Sequence, residues 1–404
     1  MMAQQLIPES CYNDKLTEVN KVTLPDINSF GPLRLVIIQA TPYCNLDCDY
    51  CYLPDRSNKK QLSLELIAPI FQKLLTSSFT KDAFTVCWHA GEPLTVPLSF
   101  YKSAFEIIQS LDLKFSPQKP KITYSIQTNG TLINQAWCDL FRQYPVKIGV
   151  SLDGPDFIHN THRKTRTGLG SHASTMRGIK LLQQNQLDFQ IIAVVTAASL
   201  DYPDEIFQFF RDHHINRVAF NIEEIEGINR NSSLKINDQR KRVYSFFQRF
   251  WELTTATKGA FQVREFEQIS SLILTGKLRR QNQLSHPFSI ISIDTQGNFS
   301  TFSPELLAMS SKDYGNFILG NFQQDSLESV CSTKKFQRIY HDIFQGVTQC
   351  QNSCDYFSLC GGGAPSNKYW ENNTFASTET MACQYNKQII ADIVLQGIEQ
   401  YLGI

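Results

Sequence analysis

The sequence predicts an α/β protein, a partial (β/α)6 barrel followed by a smaller carboxyl-terminal region with its own cysteines. Two observations lead to this prediction. Short apolar segments alternate with helical patterns between residues 33 and 221, and one cysteine group follows the first apolar segment while a second begins at residue 350. Strands connected by helices form parallel sheets, which can close wholly or partly into a barrel.

The predicted strands are short apolar runs, at residues 33–40, 84–89, 121–128, 147–152, 189–195 and 217–221. Helical spacing of apolar residues predicts the intervening helices, at residues 63–77, 98–111, 134–144, 174–184 and 203–213. The active site of such a barrel lies at the carboxyl ends of its strands. The first cysteine group follows strand one and is therefore expected at that end.

The chain divides into four predicted regions, namely an N-terminal extension at 1–30, the barrel at 31–235, a helical bridge at 236–285 and a carboxyl-terminal domain at 286–404. An amphipathic pattern predicts a long helix at 237–257 in the bridge. The turn at Gly297 predicts a hairpin over 288–302 that opens the last region. Further helices are predicted at 327–336 and 384–402.

The composition is that of an ordinary globular protein, with 42% apolar and 19% charged residues in a chain of 404. Lysine and arginine number 38, as do aspartate and glutamate, so no overall positive field favours nucleic acid or anionic lipid as a partner. No apolar run reaches the length of a membrane span, and residues 1–20 show no secretion signal. We therefore expect a cytoplasmic protein.

Cys44, Cys48 and Cys51 form a CxxxCxxC triplet. Three thiolates can hold three irons of a [4Fe–4S] cubane, which leaves the fourth iron free to bind a cofactor. A structural zinc site is the less favoured alternative, because it normally adds a second cysteine pair or histidines at fixed spacing. Disulfides are disfavoured because nothing directs the chain to an oxidising compartment.

This triplet, with Tyr50 before its last cysteine, resembles the cluster loop of radical S-adenosylmethionine (SAM) enzymes. The resemblance continues through a series of motifs at the predicted strand ends, namely His89-Ala-Gly-Glu-Pro93, Ser125-Ile-Gln-Thr-Asn-Gly130, Ser151-Leu-Asp-Gly-Pro155 and Arg163. It implies that SAM binds the open iron and yields a 5'-deoxyadenosyl radical on reduction. The cofactor-binding residues that it implies are Tyr50, Gly91, Glu92, Pro93, Asn129, Ser151 and Arg163.

The resemblance also assigns roles within this set. Backbone groups of Gly91 and Glu92 are expected to meet the SAM amine, and Ser151 and Arg163 to meet its carboxylate. Taken singly, a glycine here is more often a turn former and an arginine a surface charge. Their occurrence together and in order favours the cofactor site.

The second cysteine set resembles the SPASM domain of peptide-modifying radical SAM enzymes, in a reduced form. A full domain holds two auxiliary clusters with seven cysteines. This chain has Ala364 where one of them is expected, and the four that remain correspond to the ligands of one cluster, namely Cys350, Cys354, Cys360 and Cys383. We expect two [4Fe–4S] clusters in all, and we assign the other four cysteines, Cys11, Cys87, Cys138 and Cys331, to no metal.

The segments around Glu305 and residues 360–368 resemble maturases of the Grr and Xye types, which form cyclophanes in ribosomally synthesised peptides. The implied reaction joins an aromatic ring carbon to the β-carbon of a nearby residue in a precursor peptide. Glu305 is a candidate proton acceptor, with a plain surface residue as the alternative, and the implied electron donor is a flavodoxin or ferredoxin. The competing hypotheses are an anaerobic sulfatase maturase that forms formylglycine and a non-catalytic iron–sulfur electron carrier.

Overall fold

The computed structural model describes residues 26–117, 121–236 and 238–403. A ten-stranded sheet forms its centre, in the order β12-β9-β8-β1-β2-β3-β4-β5-β6-β7. The strands of the amino-terminal part are β1 (Leu35–Ile38), β2 (Phe84–Trp88), β3 (Ile122–Thr128), β4 (Val146–Ser151), β5 (Phe189–Val195), β6 (Arg217–Ile222) and β7 (Gln262–Val263). Each pairs in parallel with its neighbour. Within the described residues β7 does not pair back to β1, so the predicted partial barrel is confirmed.

Helices connect these strands and cover the sheet, namely α1 (Leu64–Thr76), α2 (Leu98–Phe115), α3 (Gln135–Gln143), α4 (Asp156–His162), α5 (His172–Gln184), α6 (Pro203–Asp212), α7 (Arg240–Ala256) and α8 (Arg264–Thr275). The sequence did not predict α4 or α8. The predicted helix at 237–257 is confirmed as α7, although residue 237 lies outside the described part of the chain. The greater part of the predicted N-terminal extension, residues 1–25, also lies outside it.

The predicted hairpin near Gly297 is confirmed as β8 (Ile290–Ile293) and β9 (Asn298–Thr301), which pair antiparallel. It does not stand apart from the barrel as expected, because β8 pairs in parallel with β1, with Leu35 opposite Ile290. All four β8 residues are buried, as in a strand covered on both faces. Three two-residue strands complete the set, β10 (Ser310–Ser311), β11 (Gly315–Asn316) and β12 (Gly320–Asn321).

The carboxyl-terminal region is mainly helical, with α9 (Lys334–Ser353), α10 (Phe357–Cys360), α11 (Pro365–Asn372), α12 (Met381–Cys383) and α13 (Ile389–Leu402). The predicted helix at 327–336 is wrong. A 3-10 turn occupies Ser329–Ser332, and Thr333 then caps the amino terminus of α9 by accepting a hydrogen bond of 3.2 Å from the Phe336 amide. The predicted helix at 384–402 begins with a π-helical turn, Gln384–Gln388, before α13.

A stack of aromatic rings packs α9 against the barrel. The Phe288 ring centroid lies 4.4 Å from that of Phe79 and 5.6 Å from that of Phe336, and all three side chains are buried. Such ring pairs contribute about 0.5–1.5 kcal/mol each beyond their burial. The stack therefore fixes α9, which carries Cys350, relative to the start of the barrel. Within the described residues no helix is long and apolar enough to cross a membrane.

Candidate active site

The three cysteines of the triplet lie in the loop after β1 and line one cavity. The neighbouring strand ends supply its other walls, because the carboxyl ends of parallel strands meet at one edge of a sheet. Besides the triplet, the lining residues that the sequence predicted are Gly91, Glu92, Asn129, Ser151 and Arg163. The structure thus brings eight of the predicted cluster and SAM residues to one place.

Arginine side chains hold the cysteine loop by its carbonyl groups. The Arg56 Nη1 donates to the Cys48 carbonyl at 2.9 Å, and the Arg166 Nε donates to the Cys44 carbonyl at 2.8 Å. The amide group of Asn129, at the end of β3, donates to the side-chain oxygen of Asn45 at 2.9 Å. The loop conformation is therefore set by polar contacts that leave the thiols directed to the cavity.

Two of the triplet thiols, those of Cys44 and Cys48, need a metal partner to ionise at neutral pH. Burial raises the pKa of Cys44 to about 12 and that of Cys48 to about 11. Iron replaces the proton of such a thiol, which couples cluster binding to proton release. Within the described residues no three histidine, cysteine or acidic side chains converge closely enough for a single metal ion. Three thiols spread over one cavity fit a cubane, which bonds each of them through a different iron.

Gly91 has a backbone conformation and surroundings that only glycine fits. Its φ is +83°, and a Cβ at this position would lie 2.2 Å from the Thr41 carbonyl oxygen. Among the described residues neither its N–H nor its C=O has a hydrogen-bond partner. Gly91 therefore offers free backbone polar groups to a ligand, and its carbonyl is compatible with the expected contact with the SAM amine.

The backbone of Glu92 does not offer such groups, which corrects one expectation. Its N–H donates to the Tyr43 carbonyl at 2.8 Å, and its carbonyl accepts from both the amide and the hydroxyl of Thr95, at 3.1 and 2.7 Å. Both lone pairs of the carbonyl are thus used. Glu92 lines the cavity, but its backbone has no capacity left for the amine.

The Glu92 side chain joins the ends of β2 and β3. Its carboxylate accepts hydrogen bonds from the Thr128 hydroxyl at 2.7 Å and from the backbone N–H groups of Asn129 at 2.8 Å and Leu94 at 3.0 Å. Only 1% of the residue is exposed, and burial raises its pKa to about 7. These contacts hold the Gly91 turn and Asn129 on the same rim of the cavity.

Arg163 is engaged by a buried aspartate. Its Nε and Nη2 donate to the two carboxylate oxygens of Asp153 at 2.9 and 3.0 Å, and the Tyr50 hydroxyl donates to the same carboxylate at 2.5 Å. Burial alone would raise the pKa of Asp153, but the Arg163 guanidinium lowers it below its usual value. Among the described residues the remaining amino group, Nη1, has no hydrogen-bond partner, so it can donate to an anionic ligand. Ser151 accepts from the Gln127 amide at 3.0 Å, which leaves its hydroxyl proton free to donate.

Two predicted residues lie outside the cavity lining. Tyr50 donates a hydrogen bond to Asp153, which in turn holds Arg163, so Tyr50 supports the cavity wall without lining it. Pro93 begins the 3-10 turn Pro93–Thr95, and its carbonyl accepts from the Tyr101 hydroxyl at 2.9 Å. Both residues support the rim without reaching the space that it encloses.

Two residues of the cavity lining, His89 and Tyr52, were not among the predicted site residues. His89 lines the cavity, and burial lowers its pKa to about 4, so its ring is neutral at pH 7. Its buried Nδ1 has no hydrogen-bond partner among the described residues, so a bound ligand would be its natural partner. The only signal was its place at the head of the His89-Ala-Gly-Glu-Pro93 motif. Tyr52 closely follows the triplet, and nothing in its type marked it.

Glu305 lies in a smaller cavity that adjoins the first, and Tyr52, Leu53 and Ala90 line both. It belongs to the 3-10 turn Pro304–Leu306 and is half-buried. Burial raises its pKa to about 7, and the charge of Glu224 adds to this effect. Of the two alternatives for Glu305, the structure therefore favours an inward-facing carboxylate over a plain surface residue.

The cysteines of the second set line another single cavity. Cys350 lies in the last turn of α9, Cys354 caps that helix, and Cys360 and Cys383 end α10 and α12. Two amides point at these sulfurs, since Gly363 donates to Cys360 at 3.1 Å and Thr380 donates to Cys383 at 3.2 Å. Cys87, Cys138 and Cys331 line neither cysteine cavity, and Cys11 lies outside the described residues.

The chain contains a radical SAM domain. The family model "Radical SAM superfamily" matches residues 38–210, the part that carries the triplet and the cavity rim. The chain is therefore an enzyme, and its family implies SAM and a [4Fe–4S] cluster as cofactors. The alternative of a non-catalytic electron carrier is wrong. The triplet thiols, Gly91 and the free Nη1 of Arg163 fit these two groups.

The similarity to other proteins extends beyond this domain. The uncharacterized protein sll1766 of Synechocystis sp. is 55% identical over 379 residues, which cover 94% of this chain and 95% of that protein. The serine-type anaerobic sulfatase-maturating enzyme of Bacteroides thetaiotaomicron is 28% identical over 356 residues, 84% of each chain. The solved structure of native anSMEcpe with bound AdoMet and Cp18Cys peptide has a TM-score of 0.74 and 23% identity, and the match covers 91% of this chain and 98% of that one.

Replacing Gly91 by Ala should weaken SAM binding at least about ten-fold, which corresponds to about 1.4 kcal/mol. The added Cβ would meet the Thr41 carbonyl and displace the turn. Equilibrium binding of SAM to the reconstituted enzyme measures the effect. Gly168→Ala is the matched control, because Gly168 has the same φ of +83° but open space around it. Equal affinities of the two variants would contradict the assignment of Gly91.

Proposed function

We propose that this enzyme crosslinks a peptide, joining an aromatic ring carbon to the β-carbon of a nearby residue to form a cyclophane. One observation carries the proposal. A carboxylate whose pKa is close to 7, that of Glu305, lies in a cavity that shares three residues with the SAM-side cavity. A base with a pKa near the working pH is suited to the proton loss that restores aromaticity in such a crosslink.

The comparisons support a peptide as the substrate class. The Bacteroides relative is named for maturating a sulfatase, which is a protein. The anSMEcpe structure holds a bound peptide together with AdoMet in a fold of the same type. We carry this substrate class over to our chain, where the peptide would reach the rim formed by Gly91, Ser151 and Arg163.

When bound at this rim, SAM and its cluster would supply a 5'-deoxyadenosyl radical able to remove one hydrogen atom from the peptide. The atoms balance if the peptide loses a second hydrogen as a proton and an electron, after the carbon radical has added to the ring. Glu305 accepts the proton, and Tyr52, Leu53 and Ala90 line the space between this carboxylate and the SAM-side cavity. The chain thus provides the binding rim, the shared space and the base.

The four cysteines of the second cavity fit an auxiliary [4Fe–4S] cluster. Their number satisfies all four irons of a cubane, and two backbone amides are directed at their sulfurs. Such a cluster would supply an acceptor for the released electron. The reduced set of four cysteines distinguishes the chain from the full pattern of seven that the resemblance implies.

A second candidate function is formylglycine formation, as in the sulfatase-maturating relatives. The similarity to the Bacteroides enzyme over 84% of each chain favours it. The sequence weighs against it, because residues 299–304 contain neither the cysteine nor the aspartate that the resemblance places there in those maturases.

Coexpression with the cognate precursor peptide should yield a product lighter by one pair of hydrogen atoms per crosslink. Fragmentation between the joined residues should be suppressed, because a ring closed through side chains survives backbone cleavage. Tandem mass spectrometry makes this measurement. A product that carries an aldehyde, captured with a hydrazide, would instead establish formylglycine formation.

Replacing Glu305 by Gln should lower the rate of crosslinking at least about 100-fold while 5'-deoxyadenosine still forms. In the parent enzyme the rate should rise with pH through about 7, since only the carboxylate accepts a proton and its pKa is about 7. Rates measured by product mass from pH 5.5 to 8.5 test both statements. Glu267→Gln, at an exposed residue of α8, is the control. An E305Q variant with the parent rate and pH profile would contradict the role.

Anaerobic reconstitution should load about eight irons per chain, as two cubanes require. Cys383→Ala should lose or open the auxiliary cluster and block crosslinking, yet spare SAM cleavage, since the two cysteine sets line separate cavities. Iron analysis and 5'-deoxyadenosine assays measure these effects. The matched control is Cys331→Ala, a buried cysteine outside both cavities. A count near about twelve irons would show that further cysteines bind metal.

A further inference from the structure

A lysine is buried against the second cysteine set. Lys368, in α11, is only 3% exposed. Its Nζ donates to the Gly346 carbonyl at 2.9 Å and lies 3.3 Å from the Cys350 sulfur. Lysine is almost never fully buried without a partner of opposite charge, because its ammonium loses strong hydration. The position therefore requires an explanation.

The described contacts contain no carboxylate partner for this ammonium. A neutral carbonyl and a cysteine sulfur are its recorded hydrogen-bond acceptors. A neutral thiol compensates a buried cation poorly, whereas a thiolate bound to iron carries the charge that does so. Lys387, Asp355 and Glu379 also line the cavity, but among the described residues neither carboxylate forms an ion pair or hydrogen bond with Lys368, whose ammonium contacts the Cys350 sulfur instead.

The backbone is arranged to admit this side chain. Gly346 lies one helical turn before Cys350 in α9, so its carbonyl and the Cys350 sulfur lie on the same side of the helix. A Cβ at Gly346 would lie 2.1 Å from the Phe375 carbonyl, which shows how closely the following segment approaches this turn. α11 begins directly after the turn Gly361–Gly363, and Lys368 extends from it to α9.

We propose that Lys368 raises the reduction potential of the auxiliary cluster and so makes it an effective electron acceptor. This inference rests on the proposed function, since it assumes that Cys350 and its three partners hold that cluster. Reduction adds one negative charge to a group that four thiolates already make anionic, and a nearby fixed cation favours the added charge. The amides of Gly363 and Thr380 act in the same direction.

The electron balance shows why this matters. When the ring regains aromaticity the peptide radical loses one electron to the oxidised [4Fe–4S] cluster and one proton to Glu305. Each crosslink thus reduces the auxiliary cluster by one electron. An external acceptor of the flavodoxin or ferredoxin class must later reoxidise the cluster. A lower potential at the cluster would slow this transfer without affecting the first hydrogen abstraction. Lys368 therefore acts through the cluster and is a positioning residue.

Lys368→Met removes the charge and keeps most of the volume. We expect the equilibrium constant for reduction of the auxiliary cluster to fall at least about ten-fold, which is about 59 mV for one electron. Potentiometric titration of the reconstituted full chain, followed by electron paramagnetic resonance, makes the measurement, and added SAM identifies the signal of the first cluster. Lys368→Arg should keep the potential near that of the parent. The potential of the first cluster should be the same in all variants.

Lys335→Met is the matched control. Lys335 lies in the same region and donates to the Ile318 carbonyl at 2.7 Å, but it lies outside the cysteine cavity. It should leave both potentials unchanged. An unshifted auxiliary potential in K368M with full iron content would overturn the proposal.

Iron content decides the case in which K368M does not retain the cluster. Loss of about four irons in K368M and in Lys368→Gln, with full content in K368R, would support the requirement for charge. Loss in K368R as well would show a packing role and overturn the proposal. If the K368M potential shifts but the parent enzyme makes no crosslink, only the proposed function is refuted. If the parent enzyme makes the crosslink but the K368M potential is unshifted, only the role of Lys368 is refuted.

Discussion

The carboxylate of Glu92 is the interaction on which the active-site rim depends. It accepts hydrogen bonds from the backbone amides of Leu94 and Asn129 and from the Thr128 hydroxyl. Solvent barely reaches this position, so water could not pair these three donors instead. Leaving those donors unpaired would cost about 1–3 kcal/mol each. Because one donor belongs to the turn after β2 and two to the end of β3, the side chain sets the spacing of two strand ends. The Gly91 turn can approach the Thr41 carbonyl closely only while that spacing holds.

Much of the barrel could be predicted because its signals are local. The predicted bounds of β5 agree with the structure, and those of β3 and β6 differ from it by one residue. Alternating burial along β3 and β5 follows the sequence pattern directly. The pairing of β8 with β1 could not be predicted, since a short apolar run does not reveal which distant strand it joins. Thr333 likewise divides a run of helical character into a 3-10 turn and a new helix.

The sequence motifs predicted which residues form the site, and the hydrogen bonds in the structure corrected the roles of some of them. Spacing and order brought together the cysteines, Gly91, Ser151 and Arg163, but residue type could not show that the Glu92 backbone is already satisfied. Nor could it show that Asp153 occupies most of the Arg163 guanidinium. Lys368 illustrates the same limit, because sequence reasoning places lysine at the surface unless a partner is known. Burial and partnership are properties of the folded chain.

The parallel pairing of β8 with β1 has a consequence for how substrate enters. The strand that carries the first cysteine loop and the strand that opens the carboxyl-terminal region are neighbours in one sheet, with four residue pairs in register. A hinge motion that separated the two parts would have to break this buried ladder. Access to the cavities is therefore a matter for the surface loops around them, because this buried ladder opposes a change in the separation of the two cysteine cavities.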